Sequence, residues 1–252
     1  MSKGKRLRRI AASSAGAELT ERKLTEGWAG GPRVRVRQAV PADLPAIAEL
    51  APLAGVQLDD ALAEAVRDGS SGTGLRTGIR QGQPDFQRHM AIEFATGGMV
   101  SAYLHASLVL VADHRDRGIV GTLLAYPPGN LITELVRSGR ISLSEQSGQQ
   151  MTMLGSVALT KIKTIAVAEH ARGQGVGAAL LKRCKQIYFH CGYMLMYGQM
   201  PPTPGLDAFY RRSGFEIQQP GEPIDLWVVF GIHANAVPGA DERIFHRWHL
   251  PG

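Results

Sequence analysis

The residues with the clearest chemical meaning form a glycine-rich turn, Arg172-Gly173-Gln174-Gly175-Val176-Gly177, which is followed by Ala178. Glycine has no β-carbon, so three alternating glycines leave the backbone amides open to a ligand. The first amides of a helix have no partner within the helix, and the helix dipole places positive charge beside them. A turn of this composition at the start of a helix predicts a binding site for phosphate or pyrophosphate.

A strand and a helix must hold this turn in place. Ile162, Ile165 and Val167 are β-branched and favour a buried strand just before the turn. From Val176 onward, apolar residues recur at intervals of three and four, which indicates a helix. We therefore expect a strand, a turn and a helix across residues 161–188, with the anion site at the turn.

Two other phosphate-binding motifs fit this turn less well. Gly173, Gly175 and Ala178 match the G-x-G-x-x-A spacing of a dinucleotide-binding unit. In that unit the strand runs directly into the first glycine, whereas five residues separate Val167 from Gly173 here. A P-loop requires Gly-Lys-Ser/Thr after the turn, and this sequence has none there. A glycine-rich turn that binds nothing is the remaining structural alternative.

The turn resembles the core motif of the GNAT family of N-acetyltransferases, in which Arg/Gln-x-x-Gly-x-Gly/Ala follows a strand that ends in valine. Arg172, Gly175 and Gly177 occupy the fixed positions, and Val167 precedes the arginine by five residues. A later segment resembles the second hallmark of the family, a helix with a tyrosine four residues before Gly-Phe. Its sequence is Ala208-Phe209-Tyr210-Arg211-Arg212-Ser213-Gly214-Phe215.

The resemblance extends over about residues 33–230 and implies one α/β domain, with a mixed, mostly antiparallel central sheet flanked by helices. It implies acetyl-CoA as co-substrate, and transfer of the acetyl group to a primary amine by direct attack. The site residues that it implies are a catalytic tyrosine, Tyr210, and the cofactor-binding residues Ile165, Ala166, Val167, Arg172, Gly173, Gln174, Gly175, Val176, Gly177 and Ala178.

The resemblance also implies roles for these residues. In the family, the cofactor strand and the next strand splay apart, and the pantetheine pairs with the exposed edge, which here would be Ile165 to Val167. A backbone N–H near Val167 would polarise the thioester carbonyl. Tyr210 would be the general acid that protonates the departing thiolate. The alternative is a tyrosine packed between helix and sheet, with its hydroxyl bonded to backbone.

The sequence departs from the family pattern at two places. Many relatives carry an asparagine seven residues before the tyrosine, where this chain has Thr203. Some relatives use a glutamate on the cofactor strand as general base, whereas residues 161–164 contain no acid. The base is therefore unassigned, and a water chain or a carboxylate such as Glu93 or Glu134 would have to take the proton of the amine.

The positive charge of the chain belongs to its N-terminal end. Of the net charge of +6, residues 1–40 contribute +7, from ten Lys/Arg and three Asp/Glu, so the rest of the chain sums to −1. We predict a basic, flexible arm over residues 1–32, which could hold nucleic acid or anionic lipid weakly by charge attraction. A solvated tail without a partner is the simpler interpretation.

Composition limits the remaining possibilities. The chain has 252 residues, 44% of them hydrophobic, and no apolar run of eighteen or more, so we expect a cytoplasmic protein that is not inserted in a membrane. Cys184 and Cys191 form no disulfide framework, and we see no Cys/His cluster with metal-ligand spacing. We therefore predict buried, reduced thiols and no metal. A homodimer is one option for assembly.

The local patterns predict the other elements around the turn. The predicted domain, residues 33–230, has an insertion at residues 130–155 and is followed by a C-terminal tail, residues 231–252. Within it we expect a strand at 33–38, helices from Pro41, at 58–66 and at 84–95, a mobile loop at 70–83, paired strands at 104–112 and 118–126, a strand at 193–200, a helix at 206–213 and a closing hairpin at 214–230.

Two rival functions stay open. The missing strand glutamate is compatible with a non-catalytic module that binds acyl-CoA, and the basic arm with an RNA- or ribosome-associated acetyltransferase. The sequence does not say whether the amine acceptor is a small molecule or a protein.

Overall fold

The computed structural model describes residues 19–250, so residues 1–18 and 251–252 lie outside the described part of the chain. Short 3-10 turns lie at Pro41–Asp43, Ala51–Ala54 and Glu169–Ala171. The helices are α1 Glu21–Glu26, α2 Leu44–Leu50, α3 Asp60–Arg67, α4 Thr73–Gln81, α5 Gln83–His105, α6 Gly129–Arg137, α7 Gln146–Ala158, α8 Val176–His190, α9 Pro204–Arg212 and α10 Trp227–Phe230. The strands are β1 Trp28–Ala29, β2 Val34–Gln38, β3 Leu108–His114, β4 Gly118–Tyr126, β5 Leu159–Val167, β6 Leu195–Met200, β7 Glu216–Ile217, β8 Ile224–Asp225, β9 Asn235–Ala236 and β10 Arg243–Trp248.

Eight of these strands form one mixed sheet in the order β1-β2-β3-β4-β5-β6-β10-β7. Every neighbouring pair is antiparallel except β5 and β6, which are parallel. Strands β8 and β9 form a separate two-stranded sheet. The predicted fold class, an α/β protein with a mostly antiparallel sheet flanked by helices, is confirmed.

The alternation of side chains along the strands divides the core between the two faces of the sheet. Leu108 and Leu110 of β3 belong to the apolar cluster that includes α8, α4 and α5. Val109 and Val111 of the same strand belong to a cluster with α2 and α3. A third cluster joins β6 to α6, α7 and α10. The sheet is therefore covered on both sides, and α8 is held against it directly after the glycine turn.

The mobile loop predicted for residues 70–83 is wrong, because residues 73–81 form helix α4. Its glycines permit close helix packing. A β-carbon at Gly74 would lie 2.7 Å from the sulfur of Met90, and one at Gly78 would lie 2.6 Å from the sulfur of Cys191. The sequence pattern was misread because glycine marks both flexible turns and sites of close backbone approach.

Helix α5 is longer than the predicted helix 84–95, and it reverses direction. Gly98 has φ 72° and ψ −167°, which lie outside helical geometry. A straight helix would separate residues 89 and 105 by about 24 Å, but the rings of His89 and His105 are centred 5.3 Å apart. The two halves of α5 therefore fold back on each other as a helical hairpin.

The predicted arm of residues 1–32 extends too far into the fold. Leu24 of α1 and Trp28 of β1 are each only 1% exposed, and β1 pairs with β2. The guanidinium of Arg183 lies 5.2 Å from the centre of the Trp28 ring. Burial of these two large side chains ties residues 21–29 to the core, while the most basic part of the predicted arm lies outside the described residues.

The predicted tail and closing hairpin are corrected together. Strand β7 pairs with β10 rather than with residues 224–230, and residues 227–230 form helix α10. Strand β10, which lies in the predicted tail, enters the sheet between β6 and β7. The predicted insertion, residues 130–155, forms α6 and most of α7. No helix among residues 19–250 is long and apolar enough to cross a membrane.

Candidate active site

Strands β5 and β6 separate halfway along β5. Residues 159–162 pair with β6, after which β5 continues to Val167 with β4 as its sole strand partner. Strand β6 continues beside β10 instead. The separation opens a cleft of about 920 Å³ that is lined by residues 162–167, by the glycine turn and by helix α9.

One edge of β5 therefore offers backbone groups to the cleft. The N–H of Ala168 donates to the carbonyl of Val120 at 2.9 Å. Because bonding partners alternate along an antiparallel pair, the N–H groups of Ile165 and Val167 point away from β4, towards the open side. Lys163 is the extra residue of a β-bulge in the pairing with β4, and it lies where the two strands begin to diverge.

The glycine turn presents free donors to the same cleft. Gly173 has φ 73° and Gly175, which caps helix α8, has φ 81°. Both lie in the left-handed region, where glycine is strongly favoured. None of the well-formed backbone hydrogen bonds among residues 19–250 is donated by an amide from Gly173 to Ala178. These amides and the helix dipole together make an anion cradle.

The charges that line the cleft are all positive. Lys163, Arg172 and Arg212 are in the lining, and no carboxylate side chain from the described residues joins them. The Nε of Arg172 donates to the carbonyl of Val167 at 3.2 Å, which ties the turn to the end of β5. Thr164 also belongs to this lining, and its hydroxyl is buried without a partner among residues 19–250. The cleft is suited to an elongated, polyanionic ligand.

Tyr210 of helix α9 lies at the wall of the cleft, on an aromatic support. Its ring stacks on Phe245 with centroids 3.6 Å apart, and the edges of Phe209 and Phe215 pack against it. The tyrosine is 7% exposed, and its hydroxyl has no hydrogen-bond partner among residues 19–250. Burial raises the pKa of Tyr210 above its ordinary value, so the phenol stays protonated.

The fold brings nearly all of the predicted site residues together. Ten of the eleven line the cleft, and the exception is Gln174, whose side-chain amide donates to the carbonyl of His170 at 2.9 Å. Neither carboxylate considered as a base lies there: Glu93 accepts a hydrogen bond from Ser101, and Glu134 pairs with Arg137 on the surface. Among residues 19–250, no carboxylate lies in the cleft to act as the general base.

Sequence reasoning missed several residues of the cleft. Residues 53–55, after helix α2, and Gln199 of β6 contribute to its walls, and Phe245 comes from the final strand. No local pattern marks these positions, because they reach the cleft through strand pairing and helix packing between distant parts of the chain. Phe245 was assigned to the tail, and its strand β10 is placed beside β6 by the sheet order.

A tight contact beneath the tyrosine gives a stability prediction. A β-carbon at Gly198 would overlap the ring of Phe245 and lie 2.8 Å from the carbonyl oxygen of Ile162. We expect Gly198→Ala to lower the free energy of unfolding by about 1–3 kcal/mol, measured by urea denaturation. Gly205→Ala is the matched control, since nothing lies within 4 Å of its added β-carbon. Equal stability of the two variants would contradict this packing.

The part of the chain that forms the cleft is similar to a known family of domains. Residues 105–217 match the model of the acetyltransferase (GNAT) domain. No curated protein matches the chain. Similar solved structures include a GNAT-family acetyltransferase of Desulfovibrio desulfuricans, with 16% identity, a TM-score of 0.43, and coverage of 85% of this chain and 98% of its own.

Two further structures have comparable similarity. An acetyltransferase of Salmonella typhimurium, yncA, solved with its cofactor acetyl-CoA, has 16% identity, a TM-score of 0.42, and coverage of 86% and 94% of the two chains. The ribosomal-protein-S18-alanine N-acetyltransferase of Escherichia coli has 12% identity, a TM-score of 0.44, and coverage of 87% and 96%. The matched residues include the diverging strands, the glycine turn and Tyr210, so the chain contains a GNAT acetyltransferase domain over residues 105–217.

Proposed function

We propose that this protein transfers an acetyl group from acetyl-CoA to a primary amine. The proposal rests on three features that lie in one cleft. The cleft contains an open strand edge, a set of free amides at a helix start, and a protonated phenol without a partner. The match of residues 105–217 to the GNAT acetyltransferase domain supports acetyl-CoA as the donor.

The parts of the cleft match the parts of coenzyme A. The free amides from Gly173 to Ala178 would accept the pyrophosphate, and the positive side chains of Arg172, Lys163 and Arg212 would favour its charge. The edge at Ile165 and Val167 would pair with the amides of the pantetheine arm, as an added strand does. With the pyrophosphate at the turn, the arm would run back along β5 and place the thioester towards Lys163, where β5 and β6 begin to diverge.

The chemistry requires one bond to form and one to break. The nitrogen of the amine forms a bond to the thioester carbonyl carbon, the carbon–sulfur bond breaks, and the thiolate gains a proton. Tyr210 would donate that proton as general acid. The proton lost by the amine would pass to water, since the described part of the cleft holds no carboxylate, and water would return a proton to Tyr210 before the next turnover. The net result is an amide and free coenzyme A.

A covalent acetyl-cysteine intermediate is not part of this proposal. Cys184 and Cys191 are free, buried, and absent from the lining of the cleft. Burial raises the pKa of both thiols, that of Cys191 to about 12, which disfavours the reactive thiolate. The amine is therefore proposed to attack the thioester directly.

The test is turnover on a panel of amines. The full-length chain is incubated with acetyl-CoA and one of several acceptors: an aliphatic diamine, an aromatic amine, a peptide with a free α-amine, or a lysine peptide. We expect thiol release that depends on the acceptor, and a product heavier by one acetyl group. Saturable coenzyme A binding without turnover on any acceptor would favour the non-catalytic module instead.

The RNA- or ribosome-associated variant of this function stays a prediction. It rests on the basic residues that lie mainly in segment 1–18, outside the described residues. Cytoplasmic location and a homodimeric state likewise stay predictions.

A further inference from the structure

Three side chains with metal-binding chemistry converge away from the cleft, between the two halves of helix α5. The Nε2 of His89 lies 3.0 Å from the Nδ1 of His105. An oxygen of Glu93 lies 3.5 Å from that same Nδ1 and 4.0 Å from the Nε2 of His89. Two imidazole nitrogens and one carboxylate oxygen therefore lie within 4.0 Å of one another, close enough to share one metal ion.

The fold builds this cluster from both halves of the hairpin. His89 and Glu93 are four residues apart and share one face of the first half, while His105 returns from the second half after the reversal at Gly98. Ser101, also in the second half, donates its hydroxyl to the other oxygen of Glu93 at 2.8 Å. The carboxylate is thereby oriented with one oxygen towards the two imidazoles.

Helix α4 closes one side of the cluster. A β-carbon at Gly74 would lie 3.3 Å from the Cδ2 of His89 and 3.1 Å from the carbonyl of His105. The side chains of His89, Glu93 and His105 are 24%, 22% and 18% exposed. The cluster is thus held on the protein side and open to a small ion from solvent.

We propose that His89, Glu93 and His105 bind one divalent transition metal ion, with Zn²⁺ as the best fit, and that a water completes the coordination. A tetrahedral zinc ion with bonds of about 2.0–2.2 Å holds its ligand atoms about 3.3–3.6 Å apart. Of the three separations, 3.5 Å lies in this range, while 3.0 and 4.0 Å lie just below and just above it. Imidazole and carboxylate together suit zinc and related ions better than Ca²⁺ or Mg²⁺, which prefer oxygen.

The hydrogen bonding around the cluster agrees with metal binding. The hydroxyl of Ser101 supplies the outer hydrogen bond that ligating carboxylates usually have. A hydrogen bond between the two histidines without a metal is the competing arrangement.

A metal here would clamp the helical hairpin. The second half of α5 also carries Tyr103, whose ring is centred 5.0 Å from that of Tyr126 on strand β4. Fixing His105 to the first half would hold this half against the sheet. None of the three ligands lines the cleft, so this metal site would be separate from the site of acetyl transfer.

The test is Co²⁺ and Zn²⁺ binding to the full-length chain after dialysis against a chelator. We expect one equivalent of Co²⁺ to give the visible absorption of a tetrahedral site, and Zn²⁺ to abolish it by displacement. Zinc at about 100-fold above its dissociation constant should raise the melting temperature by about 5 °C or more. Absence of the tetrahedral band at one equivalent would overturn the proposal.

Variants tie the binding to these residues. His105→Gln and Glu93→Gln should each weaken Co²⁺ affinity by about 100-fold or more, since each removes one of the three protein ligands. Ser101→Ala, which keeps every ligand, should weaken it by about 10–100-fold. His190→Gln, an exposed histidine of helix α8, is the matched control. Affinity that is unchanged in both Ser101→Ala and a folded ligand variant would refute the site.

Discussion

Replacing Gly175 with aspartate should weaken coenzyme A binding by about 100-fold or more, whereas asparagine at the same position should have a much smaller effect. Gly175 has φ 81°, and asparagine and aspartate tolerate this left-handed conformation better than other side chains. No atom lies within 4 Å of the β-carbon that either would add. The two variants therefore differ in charge and scarcely in shape or strain.

The size of the effect follows from Coulomb's law. Two unit charges about 4 Å apart at an effective dielectric constant of about 20 repel each other by about 4 kcal/mol, and each 1.4 kcal/mol is about tenfold in affinity. The aspartate would stand at the amides that we assign to the pyrophosphate. Isothermal titration calorimetry with coenzyme A measures both affinities, and the melting temperatures of the two variants check that both are folded. Equal affinities of the two variants for coenzyme A would mean that its pyrophosphate does not bind at these amides.

The order of strand, turn and helix around Gly175 could be predicted from the sequence for a local reason. The strand, the turn and the helix are consecutive in the chain, so the apolar spacing and the three glycines contain all that is needed to place Gly175 at the start of α8. The same holds for Tyr210, which lies on a short helix with its own pattern. The opening between β5 and β6, by contrast, could be expected only from the family resemblance, because no local pattern in the sequence indicates it.

The errors of the prediction have non-local causes. Phe245 supports Tyr210 from a strand that lies 35 residues further along the chain, and only the pairing of β10 with β6 brings the two rings together. The spacing of His89 and Glu93 on one helix is visible in the sequence, but His105 joins them only because the backbone reverses at Gly98. A reversal inside an apparently continuous helix has no reliable local pattern.

Glycine caused the largest misreading because it serves several physical purposes in this chain. Gly175 adopts a positive φ at a helix cap, whereas Gly78 lies inside helix α4 and allows the sulfur of Cys191 to approach. Both uses exploit the missing β-carbon, but one concerns backbone conformation and the other packing. The number of glycines in residues 70–83 therefore did not distinguish a loop from a tightly packed helix.

Removing the hydroxyl of Tyr210 should lower the rate of acetyl transfer more than any other substitution proposed for this protein. We expect Tyr210→Phe to lower kcat by about 100-fold or more, which is the lower end of what general-acid catalysis contributes. The ring of phenylalanine can keep the stacking on Phe245, so the wall of the cleft is preserved. The affinity for coenzyme A should therefore change by no more than about threefold, or less than about 1 kcal/mol.

The pH dependence gives this prediction a second readout. Burial raises the pKa of Tyr210, so the acid form is fully present below the ordinary pKa of 10.0 and is lost only above it. The rate of the wild type should rise with pH as more of the amine becomes neutral, and Tyr210 should cause no decline below that pH. A decline that begins near neutral pH and disappears in Tyr210→Phe would contradict this protonation state.

A matched variant separates catalysis from packing. Tyr193 also carries a buried hydroxyl, which donates to the carbonyl of Ser156 at 2.9 Å, outside the cleft. Tyr193→Phe should cost about 1–3 kcal/mol of stability because that carbonyl loses its donor, yet kcat should stay close to wild type. If Tyr210→Phe behaves in the same way, the phenol serves packing alone and solvent protonates the departing thiolate. If kcat falls with coenzyme A affinity retained, the hydroxyl acts in the transition state, because only an interaction made there changes the rate without changing binding.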